Sequence, residues 1–422
     1  MTEVSNHAAM ADNQTAPANN QASPKLTSKE MLKAFTANIY QELRDAKERG
    51  ELIGWSTSNF PKEICETFGL KIMYPENHAA AVAAKKGAVD FCDKAEAMGY
   101  SADLCSYARI SLGFLHREED FGFGLDVPKP DFLCVANNIC TTVIKWYENM
   151  AKELGIPFIM FDIPYNTDPD FKDHKIAYMR EQLQDVIWQF EELTGKKFDY
   201  RKFHEVCAVS SENARLFQQC LDTIGATKPS PVNGFDGYNL MALMIIARCR
   251  KESTVILQKY LTELQALIES RESKFKGEEK YRILYDGITC WPYLKYTSTT
   301  LSELGVNTVA SVYTDEYTAQ FDDLDSLCRA YASTNNVQGI DMAIKRRNKM
   351  LGKYQCDGIL CNTMRSCKPW VGLMFETERQ LQKQHGLPYT LFDGDQADPR
   401  VFSKAQYETR VQGLVEVMEA RK

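Results

Sequence analysis

Thirteen cysteines are the residues of this 422-residue chain with the clearest capacity for chemistry. Their number is odd, and neither a C-x-x-C pair nor another regular short spacing indicates a disulfide framework. In a reducing compartment most of these thiols are expected to be small buried hydrophobic residues. A few of them are expected to bind metal or to carry out redox chemistry.

Three cysteines follow chain breaks or strand ends, where loops can bring distant sulfurs together. Cys105 follows a Gly-Tyr break, and Cys140 follows the predicted strand Phe132–Ala136 and opens a predicted helix. Cys367 follows the predicted strand Gly358–Cys361. Because the dipole of a helix favours a thiolate at its N-terminus, such positions suit metal ligands. Three sulfurs of this kind could hold an iron–sulfur cluster and leave one iron open.

Cys361 competes with Cys367 for the third ligand position. Both residues lie near the end of the same predicted strand, and hydrophobic periodicity does not choose between them. On the residues alone, both remain candidates.

A serine and a glutamate follow the first two predicted strands of the chain. Ser58 lies in the segment Gly54–Pro61, and Glu76 lies in the segment Tyr74–His78. Neighbouring parallel strands would bring these loops to one edge of a sheet, where a hydroxyl and a carboxylate could meet a ligand. The alternative is structural: the serines cap a turn, and Glu76 caps a helix that begins near Ala79.

Several functional classes are excluded or disfavoured. The chain has no G-x-x-x-x-G-K-[ST], no G-x-G-x-x-G and no H-E-x-x-H, and its six histidines show no metal-ligand spacing. The net charge of −7 disfavours a nucleic-acid-binding protein. No apolar run reaches the ~18–20 residues of a membrane span, and the polar N-terminus lacks a secretory signal. We therefore expect a soluble cytoplasmic protein.

Short apolar runs, such as Phe132–Ala136, Phe158–Phe161 and Tyr389–Phe392, alternate with helical stretches, such as Ala80–Met98 and Thr141–Leu154. This alternation predicts an α/β fold. We expect two doubly wound parallel-sheet lobes, with a helical insert between them and an N-terminal helix before them. The predicted domains are a disordered tail over 1–27, the N-terminal helix and first α/β domain over 28–167, a helical segment over 168–275 and a second α/β domain over 276–422. Ligands of such sheets bind beyond the carboxyl ends of the strands.

From about Met31 to Arg421 the sequence resembles the 2-hydroxyacyl-CoA dehydratase family, and specifically the alpha subunit that carries the active site. The resembling segments are Gly54–Pro61, Tyr74–Ala84, Leu104–Arg109, Asn137–Cys140, Ile144–Glu148, Asn233–Asp236, Gly277–Lys280, Arg365–Lys368 and Asp393–Arg400. Met364 departs from the family, which usually has Asn before Arg-Ser-Cys-Lys. We expect this departure to alter the local loop but not the cluster.

The resemblance implies a [4Fe-4S] cluster on Cys105, Cys140 and Cys367, with its fourth iron site open to water or substrate, and it demotes Cys361 to strand packing. It also implies that Ser58 and Glu76 are active-site residues. The implied partners are a homologous beta subunit, which completes a heterodimer, and a separate ATP-dependent iron–sulfur activator protein. The absence of a P-loop agrees with ATP being used elsewhere.

The implied activity is reversible, syn-type removal of water from an (R)-2-hydroxyacyl-CoA to give the (E)-2-enoyl-CoA, in anaerobic amino-acid fermentation. The β-proton of the substrate has very low acidity, and acid–base catalysis typically contributes only ~10²–10⁴-fold. One-electron reduction to a ketyl radical overcomes this barrier. A subunit of a reductase related to benzoyl-CoA reductase is one alternative, and a non-catalytic electron-transfer subunit is another. The sequence does not identify the acyl group.

Overall fold

The computed structural model describes residues 26–168 and 171–421. Nearly all of the predicted tail over 1–27 lies outside the described residues. The N-terminal helix begins at Ser28 because Thr27 caps it: the Thr27 side chain accepts a hydrogen bond from the backbone N–H of Glu30, and the Glu30 carboxylate bonds back to Thr27.

Eight strands form two four-stranded parallel sheets within the described residues. The strands are β1 (Ile53–Ser56), β2 (Lys71–Met73), β3 (Phe132–Ala136), β4 (Phe158–Phe161), β5 (Tyr281–Asp286), β6 (Val306–Ser311), β7 (Gly358–Asn362) and β8 (Tyr389–Phe392). The strand order is β2-β1-β3-β4 in the first sheet and β6-β5-β7-β8 in the second. Each order runs second, first, third and fourth strand of its lobe, so the two lobes have the same topology. The predicted α/β class with two parallel-sheet lobes is confirmed.

Sixteen α-helices connect and cover the sheets in the described part of the chain. They are α1 (Ser28–Glu48), α2 (Lys62–Phe68), α3 (Pro75–Ala84), α4 (Ala88–Ala97), α5 (Ser106–Leu115), α6 (Thr141–Leu154), α7 (Asp173–Thr194), α8 (Tyr200–Ala226), α9 (Asp236–Ile246), α10 (Lys251–Ser270), α11 (Leu294–Glu303), α12 (Val312–Asp315), α13 (Leu324–Tyr331), α14 (Ile340–Tyr354), α15 (Lys368–His385) and α16 (Lys404–Glu419).

One predicted helix is divided. Periodicity predicts a single helix over Ala80–Met98, but the chain forms α3 and α4 with a break at 85–87. Lys86 takes a left-handed φ of 69°, which ends α3, and the next residue is a glycine. A second difference matters for the site: α3 starts earlier in the chain than predicted, at Pro75, so Glu76 lies in its first turn.

The apolar core is continuous across the two lobes: buried residues of the first sheet, such as Val135, belong to the same cluster as Ile359 of the second. Over residues 168–275 the described chain is helical and contributes no strand, as predicted. The exact domain boundaries stay a prediction. Among the described helices, none combines the length and the apolar character that crossing a membrane requires.

Candidate active site

A cavity lies beyond the carboxyl ends of strands from both sheets. The order of each sheet reverses direction between its first and third strands, β1/β3 and β5/β7, and such switch points are where parallel sheets bind ligands. Residues that follow all four of these strands line the cavity, which holds about 790 Å³ of empty space including its open mouth. Cys105, Cys140, Cys367, Ser58 and Glu76 all line it.

Each of the three cavity cysteines is the N-cap residue of a helix. Cys105 precedes α5, Cys140 precedes α6 and Cys367 precedes α15. The backbone N–H groups of each first turn lower the pKa of the adjacent thiol, as an N-terminus should. The N-termini of three helices therefore lie at one cavity, an arrangement that favours bound negative charge.

Burial nevertheless dominates the electrostatics of these thiols. It raises the pKa of Cys105 to about 12, raises that of Cys140, and raises that of Cys367 well above its ordinary value. The neighbouring thiolates contribute in the same direction: Cys105 and Cys140 both raise the pKa of Cys367. The three sulfurs are thus close enough to repel one another when ionised, and a positively charged group between them would relieve that repulsion.

Nothing among the described residues forms a site for a single metal ion: no three or more His, Cys, Asp and Glu side chains lie close enough together. Cys361, the competing candidate, is fully buried in β7 and does not line the cavity.

Ser58 and Glu76 meet, as the strand order predicts. The backbone N–H of Ser58 donates to Glu76 Oε1 at 3.2 Å, and the Tyr147 hydroxyl donates to Glu76 Oε2 at 3.2 Å. Burial raises the pKa of Glu76 to about 7, against the lowering effect of these hydrogen bonds. Glu76 lies in the first turn of α3 as well as in the cavity wall. A hydrogen bond from its own backbone N–H lowers the pKa of its carboxyl group.

Sequence reasoning assigned no role to the residues that hold Cys105 and Cys367 beside each other. Gln396 Nε2 donates to Cys105 Sγ at 3.4 Å and to Ser366 Oγ at 3.1 Å. Ser366 Oγ also accepts the backbone N–H of Ser106 at 3.0 Å. These contacts link the start of α5 to the loop before α15. The one sequence feature that could have indicated a role for Gln396 is its position just beyond the end of β8.

The rest of the cavity wall is largely aromatic and aliphatic. The second lobe contributes Ile288, Tyr313, Tyr317 and Trp370, and α6 contributes Trp146 among other residues. The sequence gives only a weak signal for these aromatic wall residues, because a Tyr or Trp beside an apolar strand usually indicates core packing.

Met364 lies in the loop that leads to Cys367. Its φ of 23° is in the left-handed region, and its Sδ accepts the backbone N–H of Ile288 at 2.8 Å. The side chain is fully buried, so it links the loop after β7 to the loop after β5.

Comparison with known proteins shows the family of this chain. The family described as 2-hydroxyglutaryl-CoA dehydratase, D-component, matches residues 57–418. The chain is 45% identical over 402 residues to the (R)-2-hydroxyisocaproyl-CoA dehydratase alpha subunit of Clostridioides difficile, covering 95% of this chain and 98% of that one. It is 44% identical over 396 residues to the (R)-phenyllactyl-CoA dehydratase alpha subunit of Clostridium sporogenes, covering 93% and 96%.

A more distant relative is a benzoyl-CoA reductase subunit of Thauera aromatica. It is 26% identical over 414 residues, which cover 92% of this chain and 94% of that one. The chain belongs to the 2-hydroxyacyl-CoA dehydratase family, and the resemblance inferred from the sequence segments is confirmed.

Proposed function

We propose that this chain is the alpha-type subunit of a radical (R)-2-hydroxyacyl-CoA dehydratase and carries its active site. The enzyme is a hydro-lyase that converts an (R)-2-hydroxyacyl-CoA reversibly to the (E)-2-enoyl-CoA, with a homologous second subunit as its partner. The observation that carries the proposal is the convergence of three N-cap cysteines with Ser58 and Glu76 on one cavity between the two lobes.

In this proposal Cys105, Cys140 and Cys367, which all line the cavity, hold a [4Fe-4S] cluster. A four-iron cluster is larger than a single ion, so its sulfur ligands stand farther apart than those of a mononuclear site. Three helix N-termini aim at the sulfurs and suit the negative charge of a thiolate-bound cluster. When bound, such a cluster would supply one electron at a time and an open iron site as a Lewis acid.

Ser58 and Glu76 act on the substrate in this proposal. A carboxyl group whose pKa is about 7 can accept and release a proton near neutral pH, which is what general acid–base work on the hydroxyl or the β-proton requires. Ser58 would hydrogen-bond a substrate oxygen and steady the negative charge that develops on it. The Tyr147 hydroxyl and the Ser58 N–H hold the carboxylate in place for this task.

The cavity favours an apolar acyl group. Its wall includes Ile288, Tyr317, Trp146 and Trp370, and among the described residues that line it the one cationic side chain is Lys368, which is exposed. A second substrate carboxylate would therefore be buried without a cation to pair with it. We expect branched or aromatic 2-hydroxyacyl groups to be used in preference to 2-hydroxyglutaryl.

The test is anaerobic purification with the partner subunit, followed by assay of a panel of (R)-2-hydroxyacyl-CoA thioesters. Activity should require an ATP-dependent iron–sulfur activator and a reductant, both in catalytic amounts, because the electron is returned at the end of each turnover. Reductant consumed in proportion to product would instead indicate an acyl-CoA reductase. Turnover without the activator would contradict the proposed one-electron start.

A further inference from the structure

A second concave surface adjoins the active-site cavity on the outside of the second lobe. It is a groove along α14 with about 1120 Å³ of empty space, counting its open side. Four cations line it, Lys345, Arg346, Lys349 and Lys353, against one acid in the described chain, Asp315. We call these four cations and their surroundings the basic groove. Its charge opposes that of the whole chain, which is −7.

The stability of α14 does not explain the lysines of the basic groove. Lys345, Lys349 and Lys353 follow one another at intervals of four residues, so like charges lie next to each other on one helix face, which destabilises a helix slightly. The helix dipole favours cations only in the last turn, and therefore only Lys353. Lys353 is paired with Asp222, whereas Lys345 and Lys349 are exposed and form no ion pair with any described residue.

The basic groove and the cavity share a wall. Arg346 lines the groove and forms an ion pair at 2.8 Å with Glu316, which lines the cavity. The backbone N–H of Asn335, another cavity residue, also donates to Glu316 at 3.0 Å. The short segment 333–338 carries groove residues at both ends and cavity residues between them. An elongated ligand could therefore reach both sites.

We propose that the basic groove binds the phosphate groups of the CoA moiety while the acyl group occupies the cavity. The proposal rests on the function proposed above, which makes the ligand an acyl thioester with an apolar head and a flexible arm that ends in phosphates. Lys345 and Lys349 are the available cations for those phosphates. The side-chain oxygens of Asn335 and Asn336 at the cavity wall have no hydrogen-bond partner among the described residues and can accept from the N–H groups of the polar arm. Lysine suits this task because it meets phosphate as a point charge.

The test compares thioesters with and without phosphates on the assembled dehydratase. In the double variant Lys345→Ala/Lys349→Ala, we expect kcat/KM for the acyl-CoA to fall about tenfold relative to that for the acyl-N-acetylcysteamine thioester, because only the former carries phosphates. Lys29→Ala/Lys33→Ala is the matched control. It removes two exposed lysines at the same spacing on α1 and should leave the ratio unchanged.

Direct binding separates this proposal from the proposed function. Binding of CoA itself, measured by calorimetry, should weaken in the double variant whether or not the enzyme dehydrates any substrate. Equal losses with both thioesters, or unchanged CoA binding, would overturn the groove assignment. Loss of association with the partner subunit in size-exclusion chromatography would also overturn it, because the lysines would then contact an acidic protein surface.

Discussion

The two lobes share one strand order but present different chemistry at the same edge. In both, the loop after the third strand leads to an N-cap cysteine, Cys140 in the first lobe and Cys367 in the second. The loops after the first strands differ: two residues beyond β1 lies Ser58, whereas two residues beyond β5 lies Ile288.

The second strands differ in the same way. Glu76 follows β2, whereas the aromatic residue Tyr313 follows β6. Under the proposed function, both lobes would hold the cluster, the first lobe would supply the reactive polar groups and the second would shape the acyl pocket. Cys105 has no cysteine counterpart in the described second lobe: it caps α5, the third helix between β2 and β3, whereas Gly339 caps α14, the third helix between β6 and β7.

The shared role of the third strands predicts the largest effect. Cys367→Ala should strip the protein of most of its iron and its brown absorbance and abolish turnover, because two sulfurs cannot retain the cluster. Iron per chain and the visible spectrum measure this. Cys361→Ala is the control. Cys361 is buried in β7, outside the cavity, so this variant should keep its iron. A normal iron content in Cys367→Ala would contradict the assignment.

The polar role of the first lobe predicts the next largest effect. Glu76→Gln keeps the shape of the side chain but removes its proton chemistry, so turnover should fall by at least ~10²-fold. Iron content and association with the partner subunit should not change. Near-normal dehydration would make Glu76 a bystander, and an insoluble variant would favour the helix-start role of this residue in α3.

The same substitution should reveal a cost in stability. Burial raises the pKa of Glu76 from 4.5 to about 7 in the folded protein. Protonated Glu76 therefore makes its full contribution to the free energy of unfolding below pH 4.5, and this contribution is lost as the pH rises through 7. Ionising this buried group costs roughly 3 kcal/mol above pH 8. Glu76→Gln should therefore raise the melting temperature more at pH 8 than at pH 5. A constant difference between the variant and the parent protein across this range would show that Glu76 does not titrate as described.

The apolar role of the second lobe predicts the smallest effect. Ile288→Val removes one methylene from the acyl pocket, which costs about 1 kcal/mol of stability. We expect the kcat/KM ratio between bulky and small 2-hydroxyacyl thioesters to shift by several-fold at most, with turnover retained. Ser58→Ala, the change at the equivalent position in the first lobe, should instead reduce turnover of every substrate. If both variants behaved alike, the division of labour between the lobes would be wrong.

Much of this molecule follows from local patterns. The strands Phe132–Ala136, Phe158–Phe161 and Tyr389–Phe392 and the helix Thr141–Leu154 have their predicted bounds, because apolar runs and helical periodicity are local signals. The strand ends that carry Ser58 and Cys140 were predictable for the same reason. The residues alone made Cys105, Cys140 and Cys367 candidates, and the family resemblance then favoured Cys367 over Cys361.

Only the tertiary structure decided which groups meet. Periodicity did not distinguish Cys361 from Cys367, and the family resemblance favoured Cys367; the fold buries Cys361 in β7 and places Cys367 in the cavity wall. It also brings Gln396 to Cys105 across 291 positions and Tyr147 to Glu76 across 71. Sequence periodicity reports which face of an element is apolar, whereas these contacts depend on how helices and loops far apart in the chain pack together, and no local pattern encodes that.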